Sequence, residues 1–248
     1  MLSDPVFYLV SIPAVLLYGV AKGGFGGAIA VLAVPLMALA MPPTQAAAIL
    51  LPILVVMDAV AVKTYWGLFD RRALTVLLPG AMVGTGIGYY WAGGLDDNFM
   101  RMLVGVLSLA FGAQTLLALK PAASSQHNSV SGALFGTLAG FTSFSIHSGG
   151  PLFMMYLMPK NLTPLIFAGT AGIFFAVVNV AKLVPYYLLD QFNADNLLYS
   201  LILMPLAPLG VLLGHYLVKR TNLALYYRII SFFLVVGVKL FWDGYSNL

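Results

Sequence analysis

Lys22, Asp58, His147 and Lys182 stand inside apolar stretches of a 248-residue chain, away from its polar connections. An ionisable side chain in a membrane interior is costly unless it faces water, a counter-charge or a ligand, so each is a candidate for function. A lysine ammonium attracts anions, an aspartate pairs with a cation or carries a proton, and an imidazole donates to an oxyanion or relays a proton near neutral pH. Lys22 opens the glycine run AKGGFGGAIAVLAVP (Ala21 to Pro35), and His147 lies in AGFTSFSIHSGGPLF (Ala139 to Phe153). Glycine permits backbone conformations closed to other residues, and irregular backbone at membrane depth survives only where protein buries it or it lines a wet cavity. Both runs therefore predict broken helices that wall one binding site.

A half-helix beginning near Gly26 or Gly27, and another near Ser148 or Gly149, would each present unpaired N–H groups to an anion. The expected substrate-binding set is Lys22, Gly23, Gly24, Phe25, Gly26 and Gly27 from the first break, with Ser143, Ser145, His147, Ser148, Gly149 and Gly150 from the second. Asp58, Asn179 and Lys182 are expected in coupling or support. Asp58 can pair with Lys182 or carry a coupled proton, and Asn179 lies three residues before Lys182 on the same helical face. The plainer readings are that the lysines snorkel to a membrane surface, that His147 is structural, and that the glycines only let helices cross closely.

The elements that must position these residues are helices in a bilayer. With 61% hydrophobic and 8% charged residues and a mean hydropathy of +0.95, the chain reads as an all-α polytopic membrane protein forming one transmembrane domain over 1–248. Ten apolar segments are expected, at about 5–21, 26–41, 45–62, 73–92, 99–119, 129–146, 149–158, 163–189, 196–218 and 222–242. The second and seventh fall short of the ~20 residues a spanning helix needs. They pair with the first and sixth as re-entrant or broken helical hairpins. Simple alternation gathers Lys63, Arg71, Arg72, Lys120, Lys160, Lys219 and Arg220 on one face and Asp4, Asp96, Asp97, Asp190, Asp195 and Asp243 on the other. The basic face is expected to be cytoplasmic, with both termini outside. The first segment lacks a basic leader and a cleavage site, so it reads as a retained span.

Pro79, Gly84 and Gly88 recur as Pro205, Gly210 and Gly214, while Gly19 and Asp58 pair with Gly140 and Asn179 at a slightly smaller offset. This reads as a repeat of about 1–120 and 129–248 around a linker at 121–128. Five segments per half is odd, so the halves would enter the membrane from opposite faces as an inverted repeat. Tyr65 and Trp66, Tyr89 to Trp91, and Tyr186 and Tyr187 fall at segment ends and read as interfacial belts; His215 reads as a boundary residue.

Cysteine and glutamate are absent, the three histidines lack ligand spacing, and no nucleophile-elbow, zincin or phosphate-loop pattern occurs. No enzyme, metal or cofactor is expected, and the net charge of +4 reads as basic loops on a membrane rather than nucleic-acid binding. Gly23, Gly24, Gly26, Gly27 and Pro35, with Gly140, Gly149, Gly150 and Pro151 in the second half, make the chain resemble the sulfite exporter TauE/SafE family, also called toluene sulfonate uptake permeases. It departs from the usual pattern at Ile146, His147 and Ser148, where a third glycine is common, and at Tyr156, where a proline is common. The resemblance implies transport of sulfite, organosulfonates or related small carboxylates across a bacterial inner membrane. The expected partners are that anion, lipid and, under coupling, protons, with a homodimer left open. Export is favoured over proton-coupled import, and a channel is the main rival.

Overall fold

Local signals set where four of the helices begin. Asn128, Thr163 and Asn193 stand just before their helices in extended backbone, and each side chain accepts a bond from a first-turn N–H. Pro43 and Pro164 occupy first helical turns, where their missing N–H costs nothing. The computed structural model describes residues 4–24, 30, 33–92, 98, 102, 105–106, 109, 128–160, 162–217, 242 and 245–246. Most of the fifth and tenth expected segments, nearly all of the linker and residues 25–29 of the first glycine run lie outside these.

The described residues form α1 (Pro5–Gly24), α2 (Ala33–Met37), α3 (Pro43–Thr64), α4 (Arg71–Ala92), α5 (Ser129–Ile146), α6 (Gly150–Leu157) with a 3-10 turn at Met158–Lys160, α7 (Pro164–Leu188), α8 (Ala194–Leu203) and α9 (Leu206–Leu217), with no strand among them. Five of these, α1, α3, α4, α5 and α7, are long and apolar enough to cross a membrane. The protein is an all-α, multi-pass membrane protein. Each glycine run follows a full-length helix, and the second runs into the short helix α6 packed back on α5.

The ninth expected segment, read as one span, is instead two helices meeting at 43° at Met204–Pro205. Pro205 has no N–H to give the preceding turn, and Pro208 follows within the first turn of α9. Pro79, its counterpart by spacing, is carried within the continuous helix α4.

Two helix pairs cross at backbone contact, and both run parallel. A Cβ placed on Gly84 of α4 would lie 1.9 Å from the Thr137 carbonyl oxygen of α5, and on Gly80 2.3 Å from that of Ala133. On α9, the same atom at Gly210 would meet Gly19 and the Leu16 carbonyl of α1, while Gly214 faces Val20 and Gly23. The pairs Gly84 with Thr137 and Gly210 with Leu16 are the same contact twice, at the spacings seen in the sequence. Helices α3 and α7 run antiparallel, joined at Asp58 with Asn179 and again where Gly172 faces Ala61.

Close crossing makes a direct prediction. Gly84→Ala should lower the melting temperature of the detergent-solubilised protein through overpacking worth about 1–3 kcal/mol. Gly86→Ala, two residues on and facing open space, should be neutral or stabilising by up to ~1 kcal/mol. Equal losses in thermal unfolding of the two variants would mean that backbone contact does not limit the α4–α5 crossing.

Candidate functional site

Lys22 lies in the last described turn of α1, within the first glycine run, and is turned into the protein. Its ammonium forms an ion pair with Asp58 of α3 and lies 5.7 Å and 5.6 Å from the ring centroids of Tyr18 and Phe175. Asn179 of α7 donates to the other Asp58 oxygen at 2.6 Å. Three helices from both halves of the chain therefore meet on one carboxylate.

One turn along α7 from Asn179, Lys182 donates to the Ser143 carbonyl at 2.8 Å, the Ser143 hydroxyl at 3.1 Å and His147 Nδ1 at 2.8 Å. These groups belong to the second break, where α5 stops because His147 turns to φ 55°, ψ 27°. That left-handed conformation is uncommon for a residue with a side chain. Its N–H bonds back to Ser143 at 3.1 Å, and its carbonyl accepts from Tyr18 at 2.9 Å. The imidazole is fixed at both nitrogens, with Nε2 2.9 Å from the Ala47 carbonyl of α3, and stacks on Tyr186 with 6.1 Å between ring centroids. Four tertiary contacts thus hold a backbone turn that its own residue type disfavours.

The pairing of Asp58 with Lys182 does not occur; Asp58 takes Lys22, and Lys182 takes only uncharged acceptors. The two lysines are packed inside rather than snorkelling, Lys22 8% and Lys182 0% exposed. Ser143 bonds Lys182, whereas the Ser145 hydroxyl turns back to the Phe141 carbonyl at 3.0 Å and lines a cavity with Thr44, Ala47, Phe144, Tyr186 and Gln191. Ser148 is buried and its hydroxyl has no partner among the described residues. Gly149 packs against the Ala139 carbonyl and Phe175, and Gly150 starts α6. Gly23 gives its carbonyl to Tyr65 and packs on α9. Phe25, Gly26 and Gly27 lie outside the described residues.

Three tyrosines expected elsewhere or not singled out belong to this architecture. Tyr18 holds the His147 carbonyl. Tyr65 and Tyr186 are not belt residues: both are buried, while their neighbours Trp66 and Tyr187, 75% and 74% exposed, fit that role. Tyr65 donates to the Gly23 carbonyl at 2.5 Å and Tyr186 to the Phe144 carbonyl at 2.7 Å. Donor and acceptor are each 121 positions apart, the spacing that also separates Asp58 from Asn179, so the repeat spacing was the signal that would have found them. His215 of α9 joins the first contact, its Nδ1 2.9 Å from the Tyr65 hydroxyl, instead of marking a boundary. Among the described residues no three His or Asp side chains gather into a metal site.

The arrangement can hold charge in a dry interior and offer it to an anion. Replacing Lys22 with Met or Asp58 with Leu strands a buried charge and should cost about 3–5 kcal/mol each. The double variant should recover more than half of the summed loss, read by thermal unfolding. Additive losses would mean that the two groups do not act as a buried pair.

A family model described as Sulfite exporter TauE/SafE matches residues 11–240. No curated protein and no solved structure matches the chain. The match runs from within α1 past the end of α9 and takes in both glycine runs, and with it the chain belongs to the sulfite exporter TauE/SafE family of membrane transporters.

Proposed function

We propose that the protein is a secondary transporter that exports small sulfur-containing anions, sulfite or organosulfonates, by alternating access at a site between its two glycine breaks. The observation that carries this reading is the buried cluster of Lys22, Asp58, Lys182 and His147, which joins the end of α1 to the second break through α3 and α7. A membrane interior retains such groups where an ionic substrate must be received. The family match supports the substrate class.

Alternating access is supported by the repeated contacts. Tyr65 and Tyr186 sit at the C-terminal ends of antiparallel α3 and α7, so each clasps a carbonyl of α1 or α5 at a different end of the protein. Releasing one clasp while keeping the other is a rocking motion of two related halves, 1–120 and 129–248. Sidedness follows the basic residues. Lys63, Arg71, Arg72 and Lys160 lie at the ends where α3 and α6 stop and α4 and α7 start. Partial burial holds the Lys160 ammonium below the usual lysine range, and the Asp70 carboxylate nearby pulls the other way. That end is the cytoplasmic one by the positive-inside rule, which leaves both termini outside a bacterial inner membrane. A negative cell interior drives an anion outward with about 2.3 kcal/mol per charge per 100 mV, so export needs no coupled ion.

Purified protein in proteoliposomes should move sulfite with saturable kinetics, accelerated by sulfite on the opposite side. His147→Ala and Lys22→Ala should each reduce flux at least tenfold per folded protein, counted on the fraction that elutes at the wild-type size. Non-saturating conductance would indicate a channel. A strict dependence of inward flux on a proton gradient would indicate an importer, with Asp58 as the proton carrier. Wild-type flux in both variants would remove the site assignment.

A further inference from the structure

The buried cluster has two lysines for one carboxylate among the described residues. Lys22 is matched by Asp58, but the three groups on the Lys182 ammonium are a carbonyl, a hydroxyl and an imidazole nitrogen. Their number equals the three N–H donors of an ammonium. The other imidazole nitrogen, Nε2, faces the Ala47 carbonyl, which only accepts. Nε2 therefore carries the ring proton, and Nδ1 receives a bond from Lys182. With Lys182 protonated, the cluster holds, among the described residues, two ammonium groups against one carboxylate, an excess of one positive charge. Residues 25–29 of the first break contain no ionisable side chain that would change this balance.

An unmatched charge away from water is costly, and an anion beside Lys182 supplies what is missing. The Ser148 hydroxyl, buried one residue beyond His147 and without a partner among the described residues, leaves a further polar group at the same break. Resting on the transporter reading above, we infer that the substrate is carried as a monoanion and that Lys182 is the residue that sets this charge. One negative charge neutralises the cluster; two leave a carboxylate's worth of negative charge unmatched in the same dry space. Sulfite would pass as its singly protonated form and an organosulfonate as a monosulfonate, while sulfate and thiosulfate would be refused.

Methanesulfonate and sulfate are tetrahedral, similar in size and one charge apart, which makes them the probes. Thermal unfolding of the purified full-length protein at matched ionic strength should show stabilisation by methanesulfonate at a concentration at least tenfold below any response to sulfate. Lys182→Met should lose the methanesulfonate response. Asp58→Asn raises the cluster's excess charge by one and should reverse the order, so that sulfate stabilises more than methanesulfonate; if that variant does not fold, the wild-type comparison decides alone. Sulfate binding wild-type protein as tightly as methanesulfonate would overturn the monoanion inference while leaving anion transport intact. If neither probe nor sulfite stabilises the protein and no sulfite flux is measured in proteoliposomes, the transporter reading itself fails and takes this inference with it.

Discussion

A charged group removed from water in a bilayer must find its partners inside the protein, and the partners of Asp58 come from two other helices. Lys22 reaches it from the last turn of α1 and Asn179 from the middle of α7, so the position of one carboxylate ties both to α3. Apolar contacts could slide along these helices at little cost, because lipid is as apolar as the side chains it replaces. An ion pair that would be stranded by sliding cannot. The same logic extends one turn along α7, where Lys182 fastens α5 through Ser143 and through His147, whose backbone conformation then ends that helix. Polar bonds thus set the register, and the glycine crossings of α4 with α5 and α1 with α9 set how near the backbones come.

The helix plan was legible in the sequence because bilayer thickness turns hydropathy into length. Expected spans at 45–62, 73–92, 129–146 and 163–189 became α3, α4, α5 and α7 within a few residues. The second glycine break was legible too, since clustered glycine and serine weaken a helix at the very depth where an apolar run should keep it continuous. Which acid meets which lysine was not. Asp58 could have reached Lys22 or Lys182, and only the antiparallel course of α3 and α7 decides it by bringing Asn179, rather than Lys182, level with Asp58. The tyrosines were misassigned for a similar reason. An aromatic at a helix end is amphipathic in either direction, and whether its hydroxyl turns to headgroups or to a neighbouring carbonyl depends on what packs beside it. Proline was equally ambiguous: Pro79 is accommodated in α4, while Pro205, with Pro208 close behind, breaks the chain between α8 and α9.

Two of the contacts that recur at the repeat spacings are of one kind. Tyr65 with Gly23 and Tyr186 with Phe144, or Gly84 with Thr137 and Gly210 with Leu16, are contacts to the backbone, indifferent to the acceptor's side chain. They can persist in two copies of a segment while side chains drift. Such contacts hold helices at fixed distances at each end of the protein, and they have no reason to differ between ends if the two ends must close alike.

The charged residues behave in the opposite way. Where the first half has Lys22 the second has Ser143, where it has Asp58 the second has Asn179, and Lys182 corresponds to Ala61. Every ionisable member of the cluster is therefore present once. Had each half kept Lys22 and Asp58, two complete ion pairs would face each other with no charge to spare. Replacing the second aspartate by asparagine and the second Lys22 by serine removes one pair, and placing a lysine one turn beyond Asn179 adds a cation with only neutral partners. Under alternating access as proposed, the frame repeats because closing either end poses the same mechanical problem. On the proposed transport reading the charges do not repeat because a single monoanion site between the halves needs one net positive charge, and equal halves would have brought it to zero.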